Sequence, residues 1–400
     1  MGRPVAPRPQ GEGLPGAMTQ NGLLLLTAAV GAAQLWQTGR FLRLLRRKSP
    51  EAGPSPKVSV LCACKGALEG GGDSVRTLLG QDYPGEVEFL FIVPSWSDPA
   101  AEDVRRVLER NPGEGRRLLC SDARPELCSE QNWNLLHGLG AVSPASEVLV
   151  FADSDLSFPK GWLRSLVSPL EDPSIGACTA TSVFIPKPES LWGWMRAAWV
   201  GAGLPWFSAM RYLNGQSMAV RRKAFDSCRV RERWERSINM DLTTAQALRE
   251  GGWGFAFVPD AMPTWSEPCT ARAFFSGFGK WLLHFRLYGP LAWVLAWGLV
   301  AFKLYVLYQC LRPPLWPRPL AALLLADMLN LGWIFRILAA RFPDKFGALG
   351  GRAPWLAALA APGLLAAHAA NLVFSTTVRT LRWGGYRYRI RGPYDVKVLR

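Results

Sequence analysis

Two aspartates, two positions apart, follow an apolar segment near the middle of the chain. Residues 148–152 are all apolar, Asp153 and Asp155 come directly after them, and a Pro-Lys-Gly-Trp turn follows at 159–162. Because residues i and i+2 of an extended chain point to the same side, both carboxylates are aimed together past a strand end. Ligands of open α/β sheets bind at that edge. Two hard oxygen ligands there suit Mn²⁺ or Mg²⁺ shared with a substrate's phosphates; the alternative is a solvated turn.

The composition indicates a soluble domain joined to membrane segments. Hydrophobic residues make up 49% of the chain and charged residues 19%, with 18 tryptophans. This mixture is unusual for one soluble domain. Much of the net charge of +15 lies beside apolar segments, at 40–48 and 379–400. That placement is typical of membrane-flanking loops, and no aromatic-basic RNA-binding motif occurs, so we expect no nucleic-acid partner.

The amino-terminal region predicts an arm followed by a membrane helix. Residues 1–20 are rich in Pro and Gly and are expected to be disordered. Residues 21–42 are largely apolar, and a basic cluster ends at Lys48. Positive charge after the apolar run predicts a transmembrane helix that leaves the following domain in the cytoplasm. An amphipathic helix lying on the membrane is the alternative.

The carboxy-terminal region, 290–376, holds three apolar runs, at Pro290–Leu311, 320–334 and 354–374. The first and third are long enough to span a membrane. The middle run is shorter and carries Asp327 and Asn330, which favours a tilted or re-entrant segment. The basic tail, 377–400, indicates a cytoplasmic end. One amino-terminal and three carboxy-terminal spans would instead put the tail outside, and the sequence leaves this conflict open.

The region between the membrane segments alternates strands and helices. Strand patterns lie at 58–64, 87–93, 116–120, 148–152, 176–184, 215–220 and 255–258, separated by helical patterns. This alternation predicts an α/β fold with parallel, right-handed crossovers, similar to a Rossmann domain. Neither a G-x-G-x-x-G nor a P-loop motif is present. The tryptophan-rich, weakly charged segment 188–210 predicts a helix that dips into lipid, or alternatively a core helix.

Polar residues occur at the ends of these elements in a fixed order. They are Lys65, Ser95 and Asp98, Asn134, Asp153 and Asp155, Asp241, and Lys280 with Trp281. This order resembles that of the family 2 nucleotide-sugar glycosyltransferases, which have a GT-A fold, over roughly residues 57–285. Within that family the chain is most similar to ceramide glucosyltransferase and bacterial lipid glycosyltransferase relatives, which also have membrane segments at both ends.

The resemblance implies a role for each matching position. Asp153 with Asp155 would hold the metal and the nucleotide sugar, and Asp241 would be the general base. Lys280 and Trp281 match the end of the Gln-x-x-Arg-Trp element near the membrane. The remaining matches imply substrate-binding residues: Lys65 and Asn134, with Asp98 and Ser95 in the loop that holds the nucleobase.

Several positions depart from the family pattern. Ser95 stands where the family has its first aspartate, and Met240 replaces an acid before Asp241. Gly277 replaces the glutamine of the Gln-x-x-Arg-Trp element, and Lys280 its arginine. Lysine offers a positive charge to a diphosphate without the bidentate fork of arginine. Gln131 stands where the family usually has a lysine shortly before the position of Asn134. These departures leave the donor sugar and nucleotide open.

The resulting prediction is a multi-pass membrane glycosyltransferase of glycolipid biosynthesis, with its catalytic domain in the cytoplasm. It would transfer one sugar, with glucose from UDP-glucose as the expected donor, to a lipid hydroxyl, with inversion and metal dependence. Ceramide, diacylglycerol, a polyprenol and a carotenoid remain open as acceptors. A processive polysaccharide synthase and a non-catalytic membrane protein with a nucleotide-binding domain are the alternatives. Asp241 also fits a helix N-cap with Asn239, and residues 274–288 fit a plain membrane-interface helix.

Overall fold

The computed structural model describes residues 19–47, 55–210, 212–312 and 317–399, so most of the predicted disordered arm lies outside the described residues. The strands are β1 (Val58–Ala63), β2 (Val87–Val93), β3 (Arg116–Cys120), β4 (Val148–Asp153), β5 (Ile175–Thr179), β6 (Val183–Phe184), β7 (Ser217–Arg221), β8 (Gly254–Phe257), β9 (Thr264–Trp265), β10 (Thr380–Trp383), β11 (Tyr386–Gly392) and β12 (Asp395–Leu399). The helices are α1 (Gln20–Leu44), α2 (Asp73–Leu79), α3 (Pro99–Arg110), α4 (Glu130–Leu139), α5 (Trp162–Val167), α6 (Leu191–Ala209), α7 (Arg222–Ser227), α8 (Val230–Trp234), α9 (Asp241–Glu250), α10 (Ala271–Tyr288), α11 (Pro290–Leu311), α12 (Pro317–Arg341), α13 (Pro343–Phe346) and α14 (Ala353–Thr377).

The central sheet has the strand order β3-β2-β1-β4-β7-β5-β8. Its neighbours pair in parallel except at β7, which is antiparallel to both β4 and β5. The predicted α/β fold with a mainly parallel sheet is confirmed, and the expectation of parallel strands throughout is wrong at β7. The reason lies in α6, which packs against α12 and α14 instead of returning across the sheet. The chain therefore re-enters the sheet from the edge where β4 ends.

Strand β4 is buried on both faces of the sheet. Val148, Val150 and Ala152 belong to the apolar cluster on one face, and Leu149 and Phe151 to the cluster on the other. A strand covered on both faces has a continuous apolar sequence, as this one does. Ala63 of β1 lies opposite Asp153 in the register, so β1 and β4 end at the same edge of the sheet.

Three helices of the described chain, α11, α12 and α14, are long and apolar enough to cross a membrane. Helix α12 has 25 residues, longer than the middle apolar run of the sequence. Its polar residues are paired: Asp327 lies 2.7 Å from the ammonium of Lys303 on α11, and Asn330 accepts a 2.5 Å hydrogen bond from Thr38 of α1. Pairing inside the bundle lets the helix continue through these residues.

Helix α1 packs along α12 in the same direction. Gly31 faces Ala326 so closely that a Cβ at residue 31 would lie 2.7 Å from the alanine methyl. At the carboxyl ends of both helices, Arg341 donates to the carbonyl of Leu45 at 3.0 Å and pairs with Asp260 of the α/β domain. Both helices therefore run toward that domain.

Helix α14 lies in a layer with α6 and α10 beside the α/β domain. Its beginning is joined to that domain by the 2.7 Å ion pair of Arg352 with Glu189. At its other end, the guanidinium of Arg286 on α10 donates to the carbonyls of Thr376 (2.7 Å) and Val378 (3.1 Å). Both ends of this apolar helix are thus held at the α/β domain.

The basic tail folds into a three-stranded antiparallel sheet, β10-β11-β12. This sheet is bound to the segment that leads into α4: the Tyr386 hydroxyl donates to the carbonyl of Ala123 at 3.1 Å. The amide of Val398 donates to the carbonyl of Glu126 at 2.8 Å. The tail is therefore part of the folded domain, which its basic composition alone does not indicate.

Candidate active site

A cavity of about 530 Å³ opens at the edge where β1 and β4 end. It brings together most of the predicted site residues. Its lining includes Lys65, Asn134, Asp153, Asp155, Asp241, Lys280 and Trp281. These residues come from separate parts of the chain, and the edge of the sheet, α9 and α10 position them around one space.

Asp153 and Asp155 form the acidic floor of this cavity. Asp153 closes β4 and accepts a 3.1 Å hydrogen bond from the amide of Gln131 on α4. Asp155 lies two residues on and also lines the cavity. Burial, with the negative charges of Asp155 and Asp241, raises the pKa of Asp153 to about 7. Three carboxylates crowd one space, and a cation bound there would relieve their repulsion.

Asp241 lines the same cavity and is the first residue of α9. Its carboxylate accepts hydrogen bonds from the amides of Gly215 (2.8 Å) and Leu242 (2.7 Å). The cap predicted as its alternative role is supplied by Asn239, whose side-chain oxygen accepts from the Leu242 amide at 2.8 Å. Burial raises the pKa of Asp241 even though both amides favour its charged form.

Helix α10 supplies the cationic side of the cavity. Burial lowers the pKa of Lys280, while the three aspartates act in the opposite direction. Lys280 makes no hydrogen bond or ion pair with the described residues, and its ammonium lies 4.4 Å from the ring centroid of Trp383. One turn later His284 is 5% exposed, and burial lowers its pKa to about 3. Its imidazole is therefore neutral at physiological pH.

Lys65 and Asn134 line the cavity but are already engaged by the protein. The ammonium of Lys65 contacts the carboxylate of Glu130 and the carbonyl of Gly384, both at 2.5 Å. Asn134 accepts a 2.6 Å hydrogen bond from the hydroxyl of Ser121. These contacts fix the two side chains at the rim.

Asp98 and Ser95 lie outside the residues that line the cavity. Asp98 caps α3 through the amide of Ala100 at 2.9 Å and accepts from the amide of Gly66 at 2.7 Å. The Ser95 hydroxyl lies 2.8 Å from that of Ser97 in an exposed loop. Asp98 therefore joins the loops after β1 and β2, and a nucleobase contact for either residue stays a prediction.

One wall of the cavity is apolar. It is formed by residues of α6 and α10: Trp199, Leu204, Phe207, Trp281 and Phe285. Trp199 stacks on Phe278 with ring centroids 4.4 Å apart, and its ring lies tilted against that of His368 on α14 at 4.6 Å. The wall is therefore continuous with the apolar helices, so the cavity combines a charged floor with an apolar side.

The sequence profile of glycosyl transferase family 21 matches residues 22–393. The chain belongs to this family. The match extends from α1 into the carboxy-terminal sheet, so both terminal regions are part of the family's length. This match confirms the predicted glycosyltransferase activity. It is also consistent with the predicted resemblance to family 2 glycosyltransferases, but it does not single out ceramide glucosyltransferase.

Two solved structures are similar to this family 21 glycosyltransferase. A mannosyltransferase from Pyrobaculum calidifontis, in complex with GDP-Man and Mn²⁺, is 18% identical over 90% of this chain and 99% of that chain, with a TM-score of 0.48. Glucosyl-3-phosphoglycerate synthase from Mycobacterium tuberculosis is 14% identical over 66% of this chain and 81% of that chain, with a TM-score of 0.35. No curated protein is similar enough in sequence to count as a relative. The activity class therefore rests on the family match.

Several residues that line the site of this family 21 glycosyltransferase were missed by the sequence analysis. They are Glu130, Gln216, Trp383, Gly384 and Tyr388. The last three belong to the carboxy-terminal sheet. A hairpin signal was present there, since a Gly-Gly pair at 384–385 separates two stretches rich in aromatic and β-branched residues.

Proposed function

We propose that this glycosyltransferase has a GT-A catalytic domain and moves one hexose from a nucleotide-diphosphate sugar to the hydroxyl of a membrane lipid. Glucose from UDP-glucose is the first expected donor, and the reaction is similar to that of ceramide glucosyltransferase. The observation that carries the proposal is the two-sided cavity. Aspartates and a lysine meet at the strand edge, and the apolar wall continues into the membrane-side helices.

The acidic floor fits a divalent cation. The described residues contain no group of three or more His, Cys, Asp and Glu side chains that could hold one ion. Asp153 and Asp155 would therefore hold Mn²⁺ or Mg²⁺ together with phosphate oxygens of the donor, which is how Mg²⁺ commonly binds. The cation would offset the negative charge that develops on the departing nucleoside diphosphate.

Asp241 is proposed as the general base. It accepts the proton of the lipid hydroxyl as that oxygen forms a bond to the anomeric carbon and the bond from this carbon to the diphosphate breaks. The Gly215 and Leu242 amides hold its carboxylate in one orientation. Its raised pKa brings it nearer to the range in which a carboxylate acts as a base. Attack from the face opposite the diphosphate gives inversion.

We assign binding of the nucleotide sugar to the part of the cavity that holds its lysines. Lys280 has donors that no described residue takes, and they can bind the diphosphate. Lys65 and Asn134 are proposed to bound the same subsite, with Trp281 beside Lys280. Asp98 and Ser95 are proposed to contact the nucleobase from the loops beyond the cavity.

The lipid acceptor is assigned to the apolar wall. Trp199, Leu204 and Phe207 of α6 face the cavity, and Trp206 of the same helix is 41% exposed. A helix with aromatic residues and little charge suits the boundary between headgroups and acyl chains. A lipid in this position would place its hydroxyl in the cavity and leave its chains among the apolar helices.

The membrane arrangement follows from which helix ends contact the α/β domain. Helix α11 leaves this domain and α12 returns to it, where Arg341 pairs with Asp260. Helix α14 begins and ends at the domain, so we propose that it lies along the membrane surface with α6 and α10. The crossings are then α1, α11 and α12, with the catalytic domain and the tail sheet together in the cytoplasm. This removes the conflict between the number of apolar runs and the basic tail.

Cysteine labelling tests this arrangement. Single cysteines at the exposed residues Gly351, Lys397 and Lys223 are expected to react with an impermeant maleimide from the same side of sealed vesicles, whereas Arg312→Cys reacts from the other. The unsubstituted protein measures the background of the native thiols, and Lys223→Cys marks the catalytic side. Labelling of Lys397→Cys together with Arg312→Cys would show that α14 crosses the membrane.

A transfer assay tests the activity. Membranes containing the protein receive Mn²⁺ with radiolabelled UDP-glucose, UDP-galactose or GDP-mannose, and lipids are extracted. We expect one donor to give a labelled lipid, and we expect EDTA to abolish the label and excess Mn²⁺ to restore it. Label in a water-soluble polymer would favour a processive synthase, and activity unaffected by EDTA would contradict the metal site.

A further inference from the structure

The turn between β10 and β11 enters the cavity at its rim. Gly384 and Gly385, its central residues, have φ values of 60° and 83°, which glycine adopts without a steric penalty. A Cβ at residue 384 would lie 3.1 Å from the Glu130 carboxylate, so the backbone itself approaches this group closely. The turn is therefore built to bring main chain, and the adjacent Trp383, next to the charged residues of the site.

This turn holds the two lysines of the cavity. The carbonyl of Gly384 accepts a 2.5 Å hydrogen bond from Lys65, and the ring of Trp383 faces the ammonium of Lys280 at 4.4 Å. The two contacts differ in one respect. Lys65 also pairs with Glu130, whereas Lys280 has no hydrogen-bonded or ionic partner among the described residues.

The position of the turn is fixed from three directions. The hydroxyl of Tyr388, which is fully buried, accepts from the amide of Glu130 at 3.2 Å. The hydroxyl of Tyr288 on α10 donates to the carbonyl of Pro393 at 2.7 Å, and that of Tyr394 donates to Gln246 of α9 at 3.0 Å. The sheet thus contacts α4, α9 and α10, which also carry Gln131, Asp241 and Lys280. Trp383 has a defined place relative to all of them.

An aromatic face is a suitable support for a cation that must bind an anion. It attracts the ammonium through the ring quadrupole but accepts no conventional hydrogen bond from it. A carboxylate in the same place would neutralise Lys280 and take its donors. The ring therefore restricts the position of the ammonium while its charge and its N–H groups stay available.

We propose that Trp383 is a positioning residue for the donor: it holds the ammonium of Lys280 where the diphosphate of the nucleotide sugar binds. This rests on the proposed function, since it deepens the donor side of the same site. The carboxy-terminal sheet is then a wall of the donor subsite that the chain supplies after its last membrane-side helix. Loss of the aromatic face should weaken donor binding and leave acceptor binding unchanged.

Substitution at Trp383 tests the proposal. Trp383→Leu removes the aromatic face, and we expect donor affinity, measured by equilibrium binding of the labelled nucleotide sugar with Mn²⁺, to fall about tenfold. The donor KM should rise by a similar factor at an unchanged acceptor KM. Trp383→Phe keeps an aromatic face and should recover most of the affinity. Trp355→Leu makes the same change at an exposed tryptophan outside the cavity and serves as the matched control.

Repeating the substitution in a Lys280→Met protein distinguishes loss of the contact between Trp383 and Lys280 from general damage to the fold. In Lys280→Met, the further change Trp383→Leu should leave donor affinity unaltered, because the ring no longer has an ammonium to hold. Equal losses from Trp383→Leu in both backgrounds, or no loss in the original one, would overturn the proposal. If the unsubstituted protein binds a donor but transfers no sugar, the proposed function fails and the binding comparison still decides the role of Trp383. If it binds none of the donors, both fail.

Discussion

The edge of the central sheet and the carboxy-terminal sheet both line one cavity, but they are stabilised in opposite ways. At the edge, Asp153, Asp155 and Asp241 share a small volume, and burial raises the pKa of all three. In the carboxy-terminal sheet, the buried Tyr388 hydroxyl has its partner in the Glu130 amide. The edge concentrates unfavourable charge where chemistry needs it, whereas the sheet supplies contacts that hold the surrounding elements together. Substitutions at the two places should therefore have different consequences.

The largest expected effect is on activity at the edge. Asp241→Asn should lower the transfer rate roughly 10²–10⁴-fold because it removes the general base, and the asparagine oxygen can still accept from the Gly215 amide. Transfer into extracted lipid gives the rate, and thermal unfolding in detergent shows whether the fold is kept. Asp226→Asn, which removes a surface carboxylate paired with Arg222, is the matched control. An unchanged transfer rate in Asp241→Asn would show that Asp241 is not the general base.

A second effect concerns stability at the edge in the absence of metal. The pKa of Asp153 is raised from 3.8 to about 7, so the folded protein binds this proton more tightly than the unfolded chain. Between about pH 4 and pH 7 the stability contribution of this group therefore falls as pH rises. Asp153→Asn should flatten this dependence and raise the unfolding temperature at pH 8. Unfolding temperatures measured in EDTA across this pH range provide the check. A lower unfolding temperature for Asp153→Asn than for the unsubstituted protein at pH 8 would contradict the idea that the charged Asp153 destabilises the metal-free fold.

The smallest effect is expected in the carboxy-terminal sheet, where a substitution should lower stability, whereas Asp153→Asn should raise it at pH 8. Tyr388→Phe leaves the Glu130 amide without its partner and should lower the free energy of unfolding by about 1–2 kcal/mol. Donor affinity per folded molecule should stay near that of the unsubstituted protein, because Tyr388 supports the sheet and Trp383 keeps its ring. Denaturation and donor binding measured on one preparation separate the two quantities. Unchanged stability would mean that the sheet is held elsewhere.

The two sides also differ in how much the sequence reveals. The edge was predictable because its signals are local: an apolar run of five residues, then two carboxylates at i and i+2. The charged groups nearest to Asp153 beyond the strand end come from α9 and α10, far along the chain, and only the family resemblance indicated Asp241 and Lys280. The antiparallel β7 was missed because strand and helix alternation does not show that α6 leaves the sheet. The fold of the tail is hard to predict because its basic residues are typical of a membrane flank, although its Gly-Gly pair is a hairpin signal.

Helix α14 shows a second limit of sequence patterns. Its length and hydropathy match those of a membrane span. The proposal that it lies along the membrane surface rests instead on the ion pair of Arg352 at its beginning and the contacts of Arg286 at its end. These partners lie on α10 and in the segment before α6, which hydropathy along the chain cannot reveal.

The reversed strand β7 has a consequence for the kind of groups that the edge can offer. The N–H and C=O groups of parallel strands point sideways to neighbouring strands, so strands that finish at one edge direct few main-chain groups at a ligand there. A strand that starts at the same edge is preceded there by a turn, whose amides can act as donors. The turn before β7 supplies such a donor through Gly215, whose N–H is directed at Asp241. One inverted strand thus brings a main-chain donor to the edge, where it helps to orient a carboxylate.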